Sequence, residues 1–448
     1  MAESAGKKHM RRFLLHTCCL LTIVSCVAQK PALKKNPLQD LLADTTFSSA
    51  HIGVSVYDPA ARKFLYNYQG SKYFVPASNV KIATCYAVMK YMKHILPGVR
   101  YYENDTAVYL VPTGDPSFLH RDFPVQPVFD FLKNQKKKIY ITDSNWKDKE
   151  LGKGWSWDDF SDEYMVERNS FPIYGNTLKW VQEKIHGNVA GLDESFSVYS
   201  DPEVNWKVKF ETDSGFTKFK VTRDRFSNVF RVAQGVEPYK ETIVPFIVNG
   251  LSSTLELLPD TLGKSISVNN NFFLTDPQQH VIWSQPTDSL LRPMMYNSDN
   301  FFAEQLLLMV SEERTGVFND ETIIDTITSH LKNKVVWVDG SGLSRYNLFT
   351  PNAFIEILDS MRAEFGMERV KGIFPTGDSG TLKGYYVSDN GKIYAKTGSM
   401  SGVLALSGFL YGKNNRLLVF SVMVNNYNGT GTNGRRAIER FIKALLLK

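Results

Sequence analysis

Phe74-Val75-Pro76-Ala77-Ser78-Asn79-Val80-Lys81-Ile82-Ala83-Thr84 is the stretch on which the fold turns. Ile82, Ala83, Ala87, Val88 and Met89 give a mainly apolar surface and predict a helix that begins near Ala77. Such a helix puts Ser78 at its N-terminal end and Lys81 one turn later on the same face. A hydroxyl is a poor nucleophile until a base takes its proton, and a neighbouring amine does that. The spacing alone is weak, because Ser4/Lys7, Ser144/Lys147 and Ser329/Lys332 repeat it. Only the surroundings of Ser78 can single it out.

Before this helix, Asn36-Pro37-Leu38 leads into a short helix through Leu42. Ile52 to Asp58 alternates as a strand, Asp58-Pro59-Ala60 turns, and Lys63 to Tyr68 returns. From about Pro97 to Thr275 short strand-like runs are separated by polar turns, among them 108–111, 138–141, 206–210 and 216–221. Helical periodicity returns at 300–310, 321–332 and 351–364. Strands then follow at 392–396, 403–411 and 416–424. The amphipathic helix 435–447 carries Ile438, Phe441, Ile442 and Leu445 on one side to cover the terminal sheet. The expected architecture is α/β (α+β). One discontinuous domain, 32–96 and 276–448, is interrupted by β-rich insertions, 97–182 (rejoined near 262–275) and 183–261.

The 448 residues are 43% hydrophobic and 22% charged, a globular composition with enough chain for two or three domains. Lys7, Lys8, Arg11 and Arg12 precede the apolar run Phe13 to Val24, which reads as an export signal within residues 1–28. Ile23-Val24-Ser25-Cys26 resembles a lipobox that would leave a lipid anchor on Cys26. Cys26-Val27-Ala28 resembles an ordinary signal-peptidase site. Either route places the protein outside the cytoplasm, in the periplasm. Residues 1–26 hold a net +3 of the total +6, so the remaining chain has too small an excess to suggest nucleic-acid binding. The eight histidines show no zinc-ligand spacing, and no metal or other cofactor is expected. Cys18, Cys19 and Cys26 lie in the leader, which leaves Cys85 as a small apolar residue without a disulfide partner.

Ser298-Asp299-Asn300 stands just before the apolar helix that starts at Phe301, where a rigid loop can present polar side chains. The same triplet at Ser388-Asp389-Asn390 sits between strand-like Tyr385–Val387 and Lys392–Ala395, and its Asn390-Gly391 pair predicts a hairpin turn. Lys396-Thr397-Gly398-Ser399 ends a strand. There a lysine supplies charge, a hydroxyl a hydrogen bond and glycine close backbone approach, a set suited to an extended peptide carboxylate.

A Ser-x-x-Lys, a Ser-x-Asn and a Lys-Thr-Gly in this order make the set used by penicillin-binding proteins and serine β-lactamases. The stretch 74–81 resembles the nucleophile box of the class C low-molecular-mass penicillin-binding proteins, the D-alanyl-D-alanine carboxypeptidase/endopeptidases of peptidase family S13. Gly114-Asp115-Pro116, Gly154-Trp155-Ser156-Trp157-Asp158-Asp159, Tyr296 to Asn300, Asp339 to Arg345, Gly377 to Leu382 and Lys396 to Ser399 also look like family boxes. The resemblance implies a transpeptidase domain of the penicillin-binding-protein and serine β-lactamase type. It also implies cleavage of D-Ala-D-Ala in peptidoglycan stem peptides and covalent inhibition by β-lactams. It makes Ser78 the nucleophile, Lys81 its base, Ser298 and Asn300 the relay and orienting residues, and Lys396 the holder of the carboxylate or of Ser298. Thr397, Gly398 and Ser399 would bind substrate, and Asp159 and Arg345, with Tyr164 beside them, would contact the diamino acid of the stem. Trp155 and Trp157 are expected inside the core of the insertion. The competing readings are a secreted serine β-lactamase, for which no Glu-x-x-Leu-Asn segment follows Asn300, and a non-catalytic penicillin-sensing module.

Overall fold

The computed structural model describes residues 36–185, 196–211, 217–272 and 279–447. The expected leader, with Cys18, Cys19 and Cys26, lies outside the described residues. Among those described, no helix is long and apolar enough to cross a membrane.

The first and last strands of the chain share one antiparallel sheet, ordered Ile393–Met400, Val403–Tyr411, Leu417–Asn425, His51–Asp58, Lys63–Tyr68. His51 lies opposite Asn425, and Ser399 opposite Leu404. Side chains alternate across a strand, so Leu404, Leu406 and Leu410 point one way while Ala405 and Phe409 point the other. The first set packs with Ile438, Phe441, Ile442 and Leu445 of the C-terminal helix Gly431–Leu446, as the amphipathic pattern required. The second joins the core beneath the helices Val80–Tyr91, Asn300–Thr315 and Pro351–Phe365. Burial on both faces explains why Val403–Tyr411 reads as an almost unbroken apolar run. Truncating a side chain as buried as Phe441 to alanine costs about 3–5 kcal/mol.

The middle of the chain builds three further sheets around a separate core that includes Val99, Leu110, Ile141, Leu178, Val232 and Phe246. The largest is ordered Ile266–Val268, Lys138–Ile141, Ala107–Pro112, Ile95–Glu103, His280–Pro286. In it His280–Pro286, expected in the discontinuous domain, pairs with Ile95–Glu103, which crosses the expected boundary near 96 into the first insertion.

One expectation is corrected. Tyr385–Val387 is not a strand, and Val387–Asp389 forms a single 3₁₀ turn rather than one side of a hairpin. Tyr386 is buried, and its N–H donates to Glu439 Oε1 at 2.8 Å. This segment therefore docks on the C-terminal helix instead of pairing with its neighbour. The turn at Gly391, with φ of 76°, remains, and it feeds the edge strand that begins at Ile393.

Candidate active site

Ala77 adopts a left-handed conformation (φ 48°), and Ala77–Asn79 forms one 3₁₀ turn before the helix Val80–Tyr91. The turn is wedged between two backbones. A Cβ on Gly342 would stand 2.0 Å from the Ala77 carbonyl oxygen, and one on Gly398 would stand 2.5 Å from that of Pro76. Only glycine permits either approach. Asn79 is fully buried and donates from Nδ2 to Ser407 Oγ at 2.7 Å, which ties the turn to the sheet.

Lys81, also fully buried, places Nζ 3.0 Å from Ser78 Oγ, 2.6 Å from Asn300 Oδ1 and 2.7 Å from the Ser341 carbonyl oxygen. A neutral amine has two hydrogens, and Asn300 and Ser341 accept both. Its lone pair is then left facing the Ser78 hydroxyl. Burial pushes Lys81 down to about 8, against the pull of the Glu304, Asp339 and Asp299 carboxylates.

Asp299 caps the helix Asn300–Thr315 by accepting from Phe302 N at 2.8 Å. This fixes Asn300 at the first helical position, where its Nδ2 donates to the Tyr164 carbonyl at 2.9 Å. Ser298, left-handed at φ 62°, turns its hydroxyl to Lys396 Nζ at 2.9 Å. Lys396 donates also to the Thr397 carbonyl at 2.8 Å, and burial, with Lys81 close by, holds it well below the ordinary lysine range. Ser78, Lys81, Ser298, Asn300 and Lys396, drawn from three separate stretches of chain, therefore meet in one cleft, with Thr397, Gly398 and Ser399 on the strand along its edge.

The model of the D-Ala-D-Ala carboxypeptidase 3 (S13) family matches residues 34–445. The chain belongs to that family. As a member it is a serine-type D-Ala-D-Ala carboxypeptidase. It is 23% identical over 441 residues to a D-alanyl-D-alanine carboxypeptidase of Actinomadura sp. (strain R39), covering 88% of this chain and 81% of that one. It is 29% identical over 158 residues to D-alanyl-D-alanine carboxypeptidase DacB of Haemophilus influenzae, across 32% of this chain and 33% of that one. The crystal structure of penicillin binding protein 4 (dacB) from Haemophilus influenzae superposes with a TM-score of 0.69 at 18% identity, covering 92% of this chain and all (100%) of that one. That likeness shows a shared fold of the penicillin-binding-protein type.

The S13 cleft has a buried support that sequence reasoning missed. Glu304 Oε1 accepts from Ser341 N at 2.7 Å, so a single residue, Ser341, links this carboxylate to the carbonyl that holds Lys81. Its Oε2 accepts from Arg168 Nη1 at 3.2 Å, and Arg168 also meets Asp320 at 2.7 Å and Asp148 at 2.9 Å. Burial, with Asp339 nearby, pushes Glu304 up to about 7. Asp339 in turn accepts from Gly342 N, Ser344 N, Asn347 Nδ2 and Trp155 Nε1, shaping the loop that presents Ser341. The available signal was Glu304 itself, an acid one turn after Asn300 within the mainly apolar stretch 301–310.

Asp159, half-buried, closes the 3₁₀ turn Trp157–Asp159, and together with Asp162 it lies at the Tyr164 hydroxyl, whose pKa burial and these carboxylates raise. Arg345 is exposed and donates to the Ser401 carbonyl at 3.0 Å. Among the described residues these two form no ion pair with each other, although the Trp155–Asp339 hydrogen bond pins their two segments together. Trp155 thus serves the site loop. Trp157 is 64% exposed with Arg225 over its ring, so its expected place in the insertion core is corrected: the one-turn helix points it outward. Among the described residues no group of His, Cys, Asp or Glu is placed to hold a metal ion.

Proposed function

We propose that Ser78 forms an acyl-enzyme with the penultimate D-Ala of peptidoglycan stem peptides and with β-lactams, and that neutral Lys81 is its general base. The observation that supports this reading is that buried Lys81 Nζ lies 3.0 Å from Ser78 Oγ while also reaching Asn300 Oδ1 and the Ser341 carbonyl; in the neutral amine its two hydrogens go to those two acceptors and its lone pair is left for Ser78 Oγ. Lys81 takes the hydroxyl proton as Oγ attacks the carbonyl carbon. The N–H groups of Ser78 and Ser399 receive the oxyanion. Ser298, held by Lys396, relays the proton taken up by Lys81 to the departing D-Ala amine, which leaves both side chains as they began, and Asn300 orients Lys81 and the substrate amide. Water then releases the shortened peptide from Ser78. The edge formed by Thr397, Gly398 and Ser399 binds the extended substrate, while Asp159 and Arg345 meet the ammonium and carboxylate of its diamino acid. The same chemistry suits a DD-endopeptidase acting on cross-links.

The catalytic unit in this reading is 32–96 with 276–448, and 97–275 forms the inserted β-rich modules. The protein works in the periplasm after export by its leader, free or anchored through Cys26. A labelled-penicillin assay on the wild type and on Ser78→Ala, run beside D-Ala release from a stem peptide, tests the proposal. Wild type is expected to label slowly reversibly and to release D-Ala, and Ser78→Ala to do neither. Label that survives the substitution removes Ser78 as nucleophile, and fast penicillin turnover without peptide cleavage favours the β-lactamase reading.

A further inference from the structure

Resting on the proposed function, a question of charge arises at the substrate's carboxylate end. Lys396 is buried and turned inward onto Ser298 Oγ and the Thr397 carbonyl. Burial and the nearby Lys81 also oppose its charge, and its Nζ is already committed to these inner partners rather than to the outer side of the strand. Another cation stands on the outer side of the edge strand. Arg435, in the second turn of the helix Gly431–Leu446, is exposed and donates from Nη2 to Ser399 Oγ at 3.0 Å. Its helix neighbours are paired, Arg436 with Glu439 and Arg440 with Asp44. Arg435 has no carboxylate within salt-bridge distance among the described residues.

Arg435 lines a pocket with Thr381, Tyr385, Thr397 and Ser399. Thr381 Oγ1 is buried there and has no hydrogen-bond partner among the described residues. A free guanidinium set beside two hydroxyls on the strand, next to a third hydroxyl lacking a partner, is chemistry for a planar anion. A neutral carbonyl could accept from these groups but would not match the guanidinium's charge.

We propose that Arg435, acting with the Ser399 and Thr397 hydroxyls, is the specificity-determining residue for the free carboxylate of the terminal D-Ala. It reads the leaving end of the substrate and makes the enzyme prefer an acid to an amide or ester there. Arg435 does not touch the reacting atoms, so its loss changes which peptides are cleaved more than whether Ser78 can be acylated.

The test uses the mature protein and two stem peptides identical except for a C-terminal carboxylate or carboxamide. Arg435→Gln is expected to lower kcat/KM for the acid about tenfold to a hundredfold, mainly through KM, as loss of one charge-assisted hydrogen bond does. The amide should change less than about twofold, so the acid/amide ratio collapses, and Arg435→Lys should restore part of it. Labelled penicillin, which also carries a carboxylate, should react more slowly but still reach the wild-type stoichiometry at saturation, which shows the cleft intact. An unchanged acid/amide ratio in Arg435→Gln with full labelling overturns the inference alone. A wild type that cleaves neither peptide overturns the proposed function, and the inference with it.

Discussion

The two sides of the cleft each hold a buried lysine, and they treat it differently. Both Lys81 and Lys396 are fully buried and both touch a serine hydroxyl. Around Lys81 stand Glu304, Asp339 and Asp299, whose charges resist the effect of burial and leave it at about 8. Around Lys396 no carboxylate among the described residues plays that part, and Lys81 pushes it further down, well below its usual range. Equal burial of one residue type thus yields two states. One amine gains and loses its proton within reach of neutrality, as a general base must, while the other has its charge opposed by both burial and its neighbour.

Replacing Lys81 with methionine should break this contrast most severely. Lys81→Met is expected to cut both kcat/KM for the stem peptide and the rate of penicillin labelling by about 10³-fold or more. Lys396→Met should cost about ten- to a hundredfold in peptide cleavage, with much of the loss in KM. Equal losses in the two variants would erase the distinction drawn between the two sides.

The pH profile sharpens the comparison further. Since Lys81 acts as the free amine, kcat/KM should rise about tenfold per pH unit below about 8 and level off above it. Glu304→Gln keeps an oxygen for Ser341 N but removes a negative charge that favours protonated Lys81. The rising limb should therefore move to lower pH by up to about one unit, which a profile of labelling rate against pH will show. A limb that stays in place would mean that Lys81 does not feel this carboxylate.

The smallest effects concern stability. Lys81→Met strands Asn300 Oδ1 and the Ser341 carbonyl without a donor, and should destabilise by about 1–3 kcal/mol. Lys396→Met loses the hydrogen bonds to Ser298 Oγ and the Thr397 carbonyl but also relieves the cost of a disfavoured charge, a gain that a thermal midpoint followed against pH will isolate. Folding holds Lys396 below its unfolded value of 10.5, so wild type carries a cost at every pH below that value. The gain from methionine should accordingly shrink as pH climbs toward 10.5.

The serine, the two lysines and Asn300 were legible in sequence because each occurs in a short motif whose local structure follows from its neighbours. Asp299 caps a helix, Gly398 admits a close backbone, and Val403–Tyr411 alternates between two apolar faces. The buried ionic cluster was not legible. Arg168 and Glu304 are 136 residues apart, and nothing local marks them as partners. The second Ser-Asp-Asn misled for the same reason, since Tyr386 is claimed by Glu439 of a distant helix rather than by a neighbouring strand. Trp157 was misplaced because hydrophobicity was taken to mean burial, a rule that fails for aromatic residues on a one-turn helix.

The sheet order carries a consequence for biogenesis. The strand His51–Asp58 is among the first elements made, yet it pairs with Leu417–Asn425, almost the last. The anchor of the nucleophile turn, Ser407, and the second lysine also come late in the chain. Contacts so distant in sequence close slowly and together. A growing polypeptide that stops before residue 396 contains Ser78, Lys81, Ser298 and Asn300 but neither Lys396 nor the Ser407 anchor of the nucleophile turn. Bound penicillin would therefore count finished molecules, and it can serve as a clock for the completion of folding.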